Sequence, residues 1–137
     1  MLSIEEISAR LEIQQTLTAY ATAVDSRRFD DLDPLFTADA RLDFSVMGGV
    51  VGSLAESKAW LAEMLPAFTA YCHFLGNHEF EIDESRARTR TMCLNPMQTE
   101  SSTFLIGLWY RDEWELVDNR WLISSRTLER CFDAQVA

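Results

Sequence analysis

Ile4, Ile7, Leu11, Leu17, Ala21 and Val24 recur at near-helical intervals, which predicts one buried stripe on an N-terminal α-helix. Ser3 followed by Glu6 makes a capping-box pattern at its start. At about 100° per residue, positions 20, 21, 24 and 25 share one arc, so Tyr20 and Asp25 fall on or beside the apolar stripe. A short helix is expected from about Phe29 to Phe36, with Pro34 in its first turn. Leu42, Phe44 and Val46 alternate like a strand, and the glycine-rich run at 47–52 reads as a turn or hairpin. Ser53 then caps a second amphipathic helix carrying Leu54, Trp60, Leu61, Met64 and Leu65, ended by Pro66.

From residue 71 onward the period changes to two. Strands are expected over 71–82, 87–95, 103–117 and 120–131, with turns at Asp83-Glu84-Ser85 and Asp118-Asn119. Phe104, Ile106, Leu108, Tyr110, Trp114 and Leu116 share one face of the third run, and Ser124, Arg126, Leu128 and Arg130 one face of the last. Helices first and antiparallel strands last predict an α+β domain spanning 1–137, with helices on one face of a curved antiparallel sheet. Trp109 or Trp121 on its other face suggests self-association, hence a homo-oligomer.

Charge narrows the partners. A net charge of −10 argues against nucleic acid and anionic membrane surfaces. Arg86, Arg88 and Arg90 alternate along a strand and read as one solvated face. The first residues lack the basic and apolar regions of a signal peptide, and no apolar run approaches about 18 residues, so a cytoplasmic location is expected. Cys72, Cys93 and Cys131 are widely spaced, form no CxxC motif, and read as reduced thiols.

The candidate chemistry rests on few residues. Asp25 closes a helix, where the macrodipole disfavours a carboxylate, so a compensating group such as an imidazolium is expected. Only two histidines are present. His73 lies in the strand-like run 71–75. From residue type alone it reads as a satisfied core histidine or as a base oriented by Asp25, with the Tyr20 phenol nearby. His78, an odd number of residues away, is expected on the opposite face and structural; without a carboxylate at matching spacing no metal site is predicted. Arg126 and Arg130 are candidate clamps for an anionic substrate group or partners of surface acids. Phe44, Trp60, Met64 and Tyr110 are core-type residues that could line a substrate pocket. Nucleophile-elbow, phosphate-loop and dinucleotide motifs are absent, which argues against hydrolase, kinase and nicotinamide-dehydrogenase classes.

The runs LTAYATAVDSRRFDDLDPLFTADARLDF, GSLAESKAWL, HFLGNHEFEID and GLWYRDEWELVDNRWLISSRTLER make nearly the whole chain resemble the SnoaL-like branch of the nuclear-transport-factor-2-like superfamily. That resemblance implies a cone-shaped bent sheet closed by helices around an apolar pocket. Within the branch the chain is most similar to scytalone dehydratase, hexachlorocyclohexane dehydrochlorinase and bile acid 7α-dehydratase. These share an Asp–His dyad, and Asp25 and His73 match its two positions; Tyr20 matches the tyrosine that precedes the aspartate in the bile acid enzyme. It departs from scytalone dehydratase at Val24, where that enzyme has tyrosine, and on the next strand, where Thr89, Thr91 and Cys93 stand in place of a second histidine. The implied function is a dehydratase-like lyase needing no cofactor. It would act on a small apolar, hydroxylated ring compound and work as a dimer or trimer. The same pocket would suit an isomerase or polyketide cyclase, and a rival class is a non-catalytic subunit resembling the dioxygenase small subunit.

Overall fold

Ser3 opens α1 (Ile4–Asp25), its side chain accepting from the Glu6 N–H at 3.1 Å, in the computed structural model, which describes residues 1–137. The residues that α1 buries are Ala9, Ile13, Leu17, Tyr20, Ala21, Ala23 and Val24, whereas Ile4, Ile7 and Leu11 are exposed. The expected stripe therefore holds at Leu17, Ala21 and Val24 and is corrected at Ile4, Ile7 and Leu11. At about 100° per residue, the arc through Ile4, Ile7 and Leu11 is centred about 130° round the helix from the arc through Ile13, Leu17 and Val24. Only the second set continues to the helix end and meets the sheet.

Phe29–Leu35 is a 3₁₀ helix with Pro34 near its end rather than in its first turn. β1 (Phe36–Asp43) starts earlier than expected and stops before Phe44 and Val46. The Asp43 carboxylate accepts the Ser45 N–H at 2.9 Å, and this local bond turns the chain into a 3₁₀ turn, Ser45–Met47. Gly48, at φ 73°, closes the turn. β2 (Val51–Gly52) pairs back antiparallel on β1. α2 (Leu54–Met64) starts with a full Ser53–Glu56 capping box, and a 3₁₀ turn, Leu65–Ala67, follows it at Pro66.

β3 (Ala70–Tyr71), β4 (Phe74–Asp83), β5 (Arg86–Gln98), β6 (Thr103–Val117) and β7 (Arg120–Gln135) complete one curved, unclosed sheet of seven strands. Its order is β2-β1-β7-β6-β5-β3, with β4 also on β5. Glu84 takes positive φ in the β4–β5 hairpin turn, and Asp118 and Asn119 do so in the β6–β7 turn. The sheet is mixed rather than wholly antiparallel, because β1 runs parallel to β7. Hairpins dictate direction only between strands joined by short turns, and β1 reaches β7 across most of the chain.

Two irregularities shift the alternation that the sequence suggested. On β7 a bulge at Ser124 leaves Ile123, Arg126 and Leu128 facing inward, so Ser124 does not share their face. On β4, Gly76 and Asn77 together oppose Met92, so Leu75 pairs with Cys93 and His78 with Thr91. Thr91 and Cys93 are both fully buried. His78 therefore faces the helices like His73, not the opposite side, and its Nδ1 lies 3.2 Å from the Thr91 hydroxyl.

The core fills the space between α1, α2 and the inner sheet face. It includes Trp114, whose indole N–H donates to the Thr89 hydroxyl at 2.8 Å. Trp121 belongs to this core, which corrects its placement on an exposed sheet face; Trp109 is half-buried under the Arg90 guanidinium, 3.6 Å from its ring centre. Arg86, Arg88 and Arg90 pair with Glu115, Glu113 and Glu79 on the solvated face. No helix is long and apolar enough to cross a membrane.

Burial lowers the pKa of His78 below its ordinary 6.5. The folded protein thus favours the neutral ring, and the unfolded chain takes up the proton first. Stability is full above the ordinary pKa and declines as pH falls below it toward the lowered value. The thermal midpoint should drop between pH 7.5 and pH 5.5, and His78→Gln should make that drop smaller. An equal drop in both proteins would contradict the linkage.

Candidate active site

The end of α1 is tied to the segment 65–71 by two side chains. The Tyr71 hydroxyl donates to the Val24 carbonyl at 2.9 Å, as a second donor on an oxygen that also accepts the Arg27 backbone N–H at 3.1 Å. Arg27, at φ 57°, donates to the carbonyls of Leu65 and Phe68 at 3.3 and 3.1 Å and lies over the Tyr71 ring. Its positive charge beside the helix end also opposes the macrodipole. Asp25, the last residue of α1, is thereby held against the break between β3 and β4, where His73 sits.

Both Asp25 oxygens are engaged by His73. Oδ2 accepts the His73 backbone N–H at 3.1 Å, and Oδ1 lies 2.6 Å from Nδ1. The two side chains are 28% and 11% exposed, so water competes weakly for the contact. An ionised carboxylate only accepts, so Nδ1 is the donor in this contact and Nε2 is the ring nitrogen left free of Asp25. The Tyr20 ring stands edge-on to His73, with centroids 6.3 Å apart at 87°. Burial raises the Tyr20 pKa, with Arg126 pulling the other way. Tyr20 therefore remains a phenol, a hydrogen-bond donor, at neutral pH.

His73 borders a small cavity of about 40 Å³. Tyr20, Phe44, Trp60, Met64 and Tyr110 line it too, as do Met47 and Asn95, which the sequence reading did not single out. Asp25 stands behind His73 and does not border the space.

The two candidate clamps lie elsewhere. Arg126 is fully buried but outside the lining, its Nε and Nη2 donating to the two oxygens of Asp112 at 2.7 and 2.8 Å. Its guanidinium is stacked between the rings of Tyr20 and Tyr110, 4.2 and 4.1 Å from their centres. Burial disfavours its charge, yet Asp112 more than offsets this and raises the Arg126 pKa. Arg126 thus holds up the aromatic wall from behind, and its Nη1 has no partner. Arg130 sits at the rim, donating to the Val46 carbonyl at 2.7 Å and to Asp133, with the Met47 sulfur 3.7 Å away. It fastens the 45–47 turn to β7 rather than entering the cavity.

A sequence profile of the SnoaL-like domain matches residues 5–127. The chain belongs to the SnoaL-like domain family. It is 43% identical to the uncharacterized protein Rv2910c of Mycobacterium tuberculosis over 135 residues, covering 96% of this chain and 92% of that one. Among solved structures it is similar to the Kfla4162 protein of Kribbella flavida, with a TM-score of 0.83 at 25% identity, covering 93% of each chain. A hexachlorocyclohexane dehydrochlorinase of Novosphingobium barchaimii shares the fold at 18% identity, with a TM-score of 0.84, covering 96% of this chain and 92% of that one.

In this SnoaL-like domain the signal for the missed residues lay in the alternation. Asp112 occupies a core-facing position between Tyr110 and Trp114, and Asn95 continues the buried series of Thr91 and Cys93. A polar residue in an inward position of a strand needs a partner, and each has one.

Removing one member of a buried ion pair leaves the other uncompensated, so Asp112→Ala should lower unfolding stability by about 3–5 kcal/mol. Replacing both partners, as Asp112→Leu with Arg126→Met, should recover most of that loss in urea titrations. A single-variant loss under about 1 kcal/mol would show that the pair is not what supports the wall.

Proposed function

We propose that this protein is a dehydratase-like lyase that uses His73 as general base and Asp25 as its orienting partner, without a cofactor. The observation that carries the reading is the 2.6 Å contact between Asp25 and Nδ1 of a histidine that borders a mostly apolar cavity. Asp25 holds the tautomer and stabilises the imidazolium that forms. Nε2 of His73 removes a proton from a carbon next to an electron-withdrawing group. The C–H electron pair becomes the new C=C bond as the neighbouring C–O bond breaks. The departing oxygen accepts a hydrogen bond from the Tyr20 phenol and takes the proton from Nε2, leaving as water and restoring the neutral ring.

The apolar lining suits a small ring compound. A cavity of about 40 Å³ holds no ring, so the wall made by Met47, Trp60 and Met64 moves aside on binding. Isomerisation or cyclisation would use the same base and the same phenol. Fold similarity to a protein named as a dehydrochlorinase is in keeping with elimination on a ring. Phe74, Leu94, Gly107 and Phe132 pair in one row across the outer sheet face, with Phe74 67% and Phe132 49% exposed; this apolar row supports a homo-oligomeric working form.

On a turnover substrate found by screening hydroxylated cyclic compounds, His73→Ala should lose well over tenfold in single-turnover rate. Asp25→Asn should fold normally and also lose a large factor. The double variant should be little worse than His73→Ala alone, because members of one catalytic unit are not additive. If His73→Ala keeps more than about a tenth of the rate, the barrier has changed by less than about 1.4 kcal/mol. The non-catalytic subunit reading would then take precedence.

A further inference from the structure

Asn95 is 4% exposed and borders the cavity beside His73. Its carboxamide is oriented without ambiguity. Nδ2 donates to the Cys72 carbonyl at 3.1 Å, and that oxygen can only accept, which fixes which end is nitrogen. Oδ1 accepts from the Cys93 thiol at 3.3 Å. Burial pushes that thiol up to about 11, so it stays protonated and keeps donating. An amide nitrogen carries two hydrogens, and Cys72 takes one. The second N–H has no protein acceptor, on a group that is held at both ends and faces an otherwise aromatic and aliphatic space.

We propose that Asn95 is the residue by which this cavity selects its substrate, its remaining N–H donating to a carbonyl oxygen on the ring whose α-carbon His73 deprotonates. The inference rests on the general-base reading of His73 and names the electron-withdrawing group that reading requires. Proton removal next to a carbonyl moves negative charge onto the oxygen, and a fixed donor in a dry site strengthens its hydrogen bond as that charge develops. A ring without an oxygen would leave the buried N–H unpaired and be rejected on that account. The Cys72 carbonyl that anchors Asn95 directly precedes His73 in the chain, so one peptide unit sets the spacing between the donor and the base.

The test uses a matched pair of probes, 2-tetralone and tetralin, with binding read by tryptophan fluorescence and α-proton exchange in deuterated buffer read by NMR. The hydrocarbon leaves water more readily, so a preference for the ketone reports the hydrogen bond rather than apolarity. The intact protein should bind the ketone at least about tenfold more tightly than the hydrocarbon, equivalent to about 1.4 kcal/mol. Asn95→Leu should bring the ratio close to one by weakening the ketone alone. Asn95→Asp, which lacks the N–H, should do the same and serves if the leucine variant does not fold. His73→Ala should keep the ketone preference and lose the exchange. A preference without exchange in the intact protein would sink the general-base reading and leave Asn95 as a recognition residue. A wild-type ratio below about three, failure to bind either probe, or a ratio unchanged in the Asn95 variants would overturn the proposal.

Discussion

A carboxylate at the C-terminal end of a helix sits in the negative end of the helix field, and the site of this protein is organised around that misplacement. Asp25 is tolerable there because His73 supplies two donors, one from its backbone and one from its ring. Those donors reach it where β3 and β4 are interrupted at residues 72 and 73, with Tyr71 bound to the Val24 carbonyl and Arg27 bound to the carbonyls of Leu65 and Phe68. The requirement that stabilises Asp25 also orients the imidazole.

The wall of the cavity beside Tyr20 and Tyr110 is stiff for a different reason. Tyr20 and Tyr110 lean on an Arg126–Asp112 pair with no exposure, and a bidentate contact between charges in a dry interior allows little freedom. Met47, Met64 and Trp60 also line the cavity, the first two being long unbranched side chains that adapt easily. The turn carrying Met47 is held at its rim by Arg130, an exposed contact, and packs so closely on Trp60 that a Cβ on Gly49 would come within 2.7 Å of the ring.

Periodicity alone was enough for the two capped helices, the long strands from residue 74 onward, the hairpin turns at 83–85 and 118–119, and the α+β class, because each depends on local spacing and turn chemistry. It also placed Asp25 at a helix end and marked it as needing a partner. What local spacing could not carry was phase. Of two apolar arcs on α1, the sheet selects the one through Ile13 and Val24. A bulge at Gly76 and Asn77 turns His78 inward, and another at Ser124 reassigns a face of β7. Bulges and a parallel β1–β7 pairing are negotiated between strands distant in sequence. The same holds for Arg126, whose partner is a core-facing aspartate on the neighbouring strand, and for Asn95, whose orientation comes from one carbonyl and one thiol. The chain by itself determined which groups could do acid–base chemistry; only the tertiary structure decided which of them share a cavity, because contacts across a sheet are set by register and not by spacing along the chain.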